Sequence, residues 1–152
     1  MLLIDVNVLI YAYRQDAHDH LSYRRWLDQC VGSDEGYGMA DLVLSGFLRV
    51  VTHPGVFHLP TPLEQALMFV DQLRSQPNCV PVAPGPRHWD IFLRLCRAAN
   101  AKGKLVPDAY FAALAIESGS EWITTDRDYS RFPGLRWRHP LHGSNPTSEG
   151  AR

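Results

Sequence analysis

The sequence predicts an α/β fold, with a central, mostly parallel sheet of four to five strands and helices on both faces. Two observations carry that prediction. Short apolar runs without alternation, such as "MLLI" at Met1–Ile4 and "EWITT" at Glu121–Thr125, suit strands buried on both faces. Between them lie longer segments whose apolar residues recur at helical spacing, and strands alternating with helices favour a parallel sheet. A chain of 152 residues can bury one sizeable core, so a single domain is expected.

The elements follow in order. Met1–Ile4 is the first strand, and a helix is expected from Asn7 to Tyr13 with Asn7 as its cap. His20–Cys30 places Leu21, Trp26 and Leu27 at helical spacing, and Glu35–Met39 reads as a second strand. From Asp41, "DLVLSGFLRVVTH" sets Leu44, Phe47, Leu48 and Val51 on one stripe, with Asp41 where an N-cap is expected. A Pro-rich connector leads to Pro62, which opens a helix carrying Leu63, Leu67, Val70 and Leu73. "NCVPVAP" is a third strand, followed by a helix with Trp89, Phe92, Leu93 and Cys96 inward. "PDAYFAALAIESG" is an Ala-rich helix closed by Gly119. "EWITT" is the fourth strand and "LRW" near Leu135 a possible fifth. The domain is expected over residues 1–141, and the Gly-, Ser- and Pro-containing segment 142–152 reads as a loose polar tail.

Composition narrows the class. Hydrophobic residues make up 45% and charged residues 20%, within the ordinary range for a soluble protein. A formal net charge of -1 gives no global basic field for nucleic acid or anionic membrane, so any such contact needs a local patch or a bound cation. Cys30, Cys79 and Cys96 are odd in number and lack CxxC spacing, which disfavours a disulfide framework or a zinc site and fits a reducing compartment. The apolar N-terminus lacks a basic region and is interrupted by Asp5 and Asn7, unlike a signal peptide. No segment reaches the ~18 uninterrupted apolar residues of a membrane helix. A cytoplasmic protein without membrane contact is expected.

The acids carry the chemistry. Asp5 ends the first strand and Asp126 follows the fourth; in parallel sheets, ligands bind beyond the carboxyl ends of strands, near the switch in strand order. If those strands are neighbours, the two acids share a rim. Asp108 begins the Ala-rich helix, whose Ala109, Ala112, Ala113 and Ala115 would let it sit close to the sheet. Carboxylates gathered in one pocket repel one another, and a divalent cation relieves that. Oxygen ligands without paired Cys or His point to magnesium, with manganese possible, rather than zinc. Such a site can activate water and neutralise charge on a phosphodiester. Each acid also has a structural role open to it. Asp5 could hold a loop, Asp108 complement a helix dipole, and Asp126 and Asp128 make turn bonds. Their joint placement is what favours function. "DAHDH" at Asp16–His20 reads as a helix entrance rather than a ligand cluster, and His53, His58 and His88 as structural. Trp26, Trp89 and Trp122 sit in apolar stripes and read as core.

Four ordered blocks, "LIDVNVLIYAY", "GFLRVVTHPGVF", "PDAYFAALAIESG" and "ITTDRDYSRFPGLRW", resemble a PIN domain of the VapC toxin type, from Leu2 to about Leu141. The resemblance implies a PIN-like three-layer sandwich and a magnesium-dependent endoribonuclease, the toxin of a toxin–antitoxin pair, that cuts structured RNA such as transfer or ribosomal RNA. It also implies homodimerisation and a cognate antitoxin partner whose C-terminal segment occupies the active-site groove. Asp5, Asp108 and Asp126 match the family's metal acids and Asp128 a frequent supporting acid. Asn7 and Thr125 fall where polar groups often support them. One position departs: many relatives carry Glu immediately before Phe47, where this chain has Gly46, and the nearest acid is Asp41, five residues earlier. Asp41 is therefore a candidate both for the cap and for the rim of the acidic pocket.

A catalytically weak PIN-like module that binds RNA or protein without cutting is the alternative. A small phosphatase or DNA nuclease is disfavoured by the lack of a Gly-rich phosphate loop and of an obvious nucleophile.

Overall fold

The computed structural model describes residues 1–143, so the tail expected over 142–152 lies outside the described residues from residue 144 on. Among the described residues, strands β1 (Leu2–Ile4), β2 (Tyr37–Met39), β3 (Cys79–Pro81), β4 (Glu121–Ile123) and β5 (Trp137–Arg138) form one sheet in the order β3-β2-β1-β4-β5. Every adjacent pair is parallel. The chain first builds outward from β1 to β2 and β3, then returns to the other side of β1 for β4 and β5. The order therefore reverses between β1 and β4, and a crevice opens beyond their carboxyl ends.

Helices α1 (Val6–Tyr13) and α2 (His20–Gly32) connect β1 to β2, α3 (Asp41–Val51) and α4 (Leu63–Arg74) connect β2 to β3, and α5 (His88–Ala98) and α6 (Leu105–Glu117) connect β3 to β4. A 3-10 turn over Arg127–Arg131 joins β4 to β5. The strands of only two or three residues survive because their side chains are buried: Leu3, Ile4, Trp122 and Ile123 have no exposed surface. Ala109, Ala112, Ala113 and Ala115 are equally buried, so α6 packs closely, as its small residues predict.

In three helices some residues expected inward are exposed, while Leu27, Val70, Leu73, Phe92 and Cys96 are buried or packed on the core as expected. In α5 the inward residues are His88 and Leu95, with Ile91 and Phe92 partly buried, while Trp89 is 60% exposed. His88 takes the inward place because its ring Nε2 lies 3.0 Å from the Tyr110 carbonyl and the ring packs against Tyr110 and Phe92. One residue of phase turns a helix by about 100°, enough to move Trp89 to solvent. In α2, Tyr23 and Leu27 are buried and Leu21 is exposed; in α4, Ala66, Phe69, Val70 and Leu73 are buried and Leu63 is exposed. Trp122 alone of the three tryptophans expected in the core is fully buried, stacked on Phe111 with ring centroids 5.4 Å apart. The α3 stripe of Leu44, Phe47 and Val51 is buried as the spacing predicts.

Candidate active site

β1 ends at Ile4, and the Asp5 backbone N–H continues the ladder by donating to the Ile123 carbonyl of β4 at 2.9 Å. That bond fixes Asp5 at the switch point. Asp5, rather than Asn7, is the cap of α1: its backbone is extended and its Oδ1 accepts from the Val6 N–H at 2.7 Å. Its Oδ2 accepts from the Thr124 hydroxyl at 2.6 Å. The same Thr124 oxygen accepts from the Asp126 N–H at 3.0 Å, so one hydroxyl ties the ends of β1 and β4 together. Asn7 bridges the same gap more loosely, its Nδ2 3.5 Å from Thr124 Oγ1 and its Oδ1 3.4 Å from the Thr125 N–H. The supporting hydroxyl is therefore that of Thr124, while Thr125 contributes its backbone.

Helix α6 begins at Leu105, so Asp108 lies in its first turn rather than at its start. Pro107 is tolerated there because first-turn N–H groups have no intrahelical acceptor. Asp108 is buried; its Oδ1 accepts from the Tyr129 hydroxyl at 3.2 Å, and its Oδ2 is buried without a hydrogen-bond partner. Asp126 caps the 3-10 turn, its Oδ1 accepting from the Asp128 N–H at 2.9 Å. Lys104, the residue preceding α6, pairs with Asp126 Oδ2 and reaches within 3.7 Å of Asp108 Oδ2.

Asp5, Asp108 and Asp126 line one cleft of about 470 Å³ with Asn7, Lys104 and Arg49. Ile10, Leu42 and Phe111 add apolar lining to the same cleft. The cluster is short of positive charge. Burial, reinforced by the charges of Asp108 and Asp126, pushes the Asp5 carboxyl up to about 6 despite its two hydrogen bonds. Burial also raises Asp108, against the pull of Lys104 and Tyr129. Asp126 runs the other way: burial works to raise it, but the Lys104 ammonium and the Asp128 N–H outweigh that and hold it low. Lys104 is raised, chiefly by its bond to Asp126.

The donor set fits a hard divalent cation. Its atoms are all oxygens, one of them is buried and unpartnered, and the carboxylates repel one another. As the side chains stand, no group of three or more Asp, Glu, His or Cys among the described residues is gathered closely enough to hold a metal ion. An ammonium group instead stands between two of the acids.

Two further candidates lie apart. Asp128 is exposed, and its part in the site as described is its N–H bond to Asp126. Asp41 neither caps α3 nor lines the cleft. Ala40 holds the cap position without a side-chain bond, and Asp41 is the first helical residue, 81% exposed and 3.3 Å from Arg74. An acid in the first turn favours the helix dipole from that position, and its exposed pair contributes little. Asp41→Asn and Asp41→Ala should each change stability by less than about 1 kcal/mol and leave cleavage unchanged, as chemical denaturation and an RNA-cleavage assay would measure.

Gly46 does line the cleft, and a Cβ there would meet Val6 Cγ2 at 3.1 Å. The position has room for a larger residue only if Val6 gives way. Thr124, Tyr129, Lys104 and Arg49 were not singled out from sequence. Of these, only Lys104 left a signal, standing four residues before Asp108, where helical neighbours meet.

Comparison with known proteins identifies the family. Residues 2–135 match the PIN domain family. The chain is 45% identical over 143 residues to the VapC ribonuclease Mb2897 of Mycobacterium bovis, covering 94% of this chain and 97% of that protein. It is 39% identical over 140 residues to ribonuclease VapC25 of Mycobacterium tuberculosis, covering 92% and 99%. In fold it is similar to VapBC-1 from nontypeable Haemophilus influenzae, with a TM-score of 0.66 at 14% identity over 93% of this chain and 98% of that one. It is likewise similar to VapBC2 from Rickettsia felis bound to a promoter DNA fragment, with a TM-score of 0.65 at 17% identity over 91% and 97%. With its acids gathered at the β1/β4 switch point and this extent of similarity, the chain belongs to the PIN-domain family, among the VapC ribonucleases.

Proposed function

We propose that the protein is the toxin of a toxin–antitoxin pair, an endoribonuclease that requires magnesium or manganese and cuts structured RNA such as transfer or ribosomal RNA. The observation that carries this reading is the convergence of Asp5, Asp108 and Asp126 on one cleft, with Asp108 Oδ2 buried and unpartnered. These three residues would hold the cation, which would supply a water of lowered pKa and offset charge on a phosphodiester. The chain's own groups prepare the rest. Thr124 fixes the Asp5 carboxylate and Tyr129 the Asp108 carboxylate. Arg49 on α3 lines the same cleft and adds a positive charge that would help hold an RNA phosphate. The apolar lining limits water around the reacting phosphate.

Cleavage of structured RNA should require magnesium or manganese and stop on chelation. The same ions should raise thermal stability relative to sodium at equal ionic strength, by about 2.7 kcal/mol at a hundredfold excess over the dissociation constant. Cleavage that persists in chelator with identical melting midpoints would overturn the metal-dependent reading.

A cognate antitoxin is the proposed protein partner, in line with relatives solved as VapBC complexes, and a homodimer the proposed assembly. Among the described residues no helix is long and apolar enough to cross a membrane, in keeping with the proposed cytoplasmic site of action. The alternative, a module that binds RNA without cutting, draws on Gly46, which leaves the cleft without a fourth acid. RNA binding without cleavage at saturating magnesium would favour it.

A further inference from the structure

Among the described residues lining the cleft, Lys104 is the one charged group whose placement the proposed chemistry does not use. Its ammonium pairs with Asp126 Oδ2 and stands 3.7 Å from Asp108 Oδ2, the buried oxygen left without a hydrogen bond. It therefore occupies the space between two carboxylates that a divalent cation would need. Arg49 lines the same cleft but, among the described residues, makes no ion pair with these acids. The two cations are thus not equivalent. The Lys104 side chain is 67% exposed on a flexible stem, so it can leave the acids at modest cost.

We propose that Lys104 is a tethered competitor for the divalent cation: its ammonium serves as counter-ion to Asp108 and Asp126 in the metal-free protein and must swing away for the cation to load. The inference rests on the metal-dependent reading above. Two effects act in the same direction. The ammonium holds an oxygen the cation needs, and if it stayed it would repel a doubly charged ion a few ångströms away. At the mouth of the cleft an RNA phosphate offers it another anion. Substrate then draws Lys104 off Asp126, so RNA binding and cation loading favour one another, and by linkage the coupling is reciprocal. The device keeps the acids paired, and the metal weakly held, until substrate arrives.

The test is Mn2+ binding to the full chain by calorimetry at neutral pH, without RNA. Lys104→Met keeps the length of the stem and removes the charge. It should bind Mn2+ about tenfold more tightly than the wild type, and it should melt lower than the wild type without metal but not with it. Lys104→Arg, which retains the charge, should bind like the wild type, and Lys104→Gln serves as a second neutral variant should the Met protein fail to fold. A supporting structural role would make the neutral variants bind Mn2+ more weakly, so only a gain in affinity fits competition. Equal or weaker affinity in the neutral variants, with wild-type binding lost in Asp5→Asn, overturns the role of Lys104 and leaves the metal-dependent reading standing. No Mn2+ binding by any of the proteins overturns both.

Discussion

Asp5→Asn should reduce RNA cleavage by more than about 100-fold, beyond the usual cost of removing a group that only orients a metal ligand, while the protein stays folded. Asn keeps the Oδ1 that caps α1 through the Val6 N–H, so the local backbone has no reason to move. It loses the charge, and with it one of the three carboxylates proposed to hold the cation. Asp108→Asn and Asp126→Asn should lose cleavage to a similar extent. Asp5→Asn also carries a second signature. The folded Asp5 carboxyl protonates at about 6 and an unfolded one near 3.8. Between those values the folded state binds the extra proton, so this group's contribution to stability is lost as pH rises through the window. The full effect is on the order of 3 kcal/mol. Asn cannot titrate, so denaturation midpoints of the metal-free variant should vary less between about pH 4 and pH 6 than those of the wild type. Well-folded Asp5→Asn and Asp126→Asn proteins that cut RNA at the wild-type rate would sink the assignment of the site.

Thr124→Val should be the most destabilising isosteric change near the cleft, at roughly 2–4 kcal/mol. Thr124 is completely buried, and its hydroxyl donates to Asp5 Oδ2 and accepts from the Asp126 N–H. Val fills the same volume but leaves a buried carboxylate short of a donor and an N–H short of an acceptor. The Thr124 bond also works against the upward push of burial on Asp5. Losing it makes the charged form harder to hold, and cation affinity should fall about 10–100-fold. Thr124→Ser retains the hydroxyl and should recover most of both properties. Urea denaturation and Mn2+ titration of the three proteins would decide. A Val variant as stable as the wild type would mean that water replaces the hydroxyl.

The sequence revealed most about features that rest on local pattern. Apolar runs that stop at Asp5 and before Asp126 marked the strand ends, and the Ala-rich run marked a helix packed close to the sheet. The sequence leaves open whether β1 and β4 are neighbours, and the pairing meets that condition. Relations set by tertiary contact were not legible. The inward phase of α5 depends on a bond between His88 and the Tyr110 carbonyl, which hydrophobicity does not encode. Thr124 and Thr125 look alike in sequence, and only the direction of the strand end shows that it is the Thr124 hydroxyl that reaches Asp5. Tyr129 reads as an ordinary core aromatic until its hydroxyl is seen on Asp108. Asp41 looked like a cap because it precedes an apolar run, yet the helix had already begun with it.

The pairing of the first strand with the fourth has a consequence for synthesis. The Thr124 hydroxyl that fixes Asp5 leaves the ribosome 119 residues after it. β1 also waits for β4 before its second edge is paired, so assembly depends on non-local contacts, which form late. A nascent or truncated chain that stops short of residue 126 therefore lacks one wall of its own cleft. On the proposed assignment of the acids, such a chain should not cut RNA around the ribosome that is translating it until residue 126 has been made.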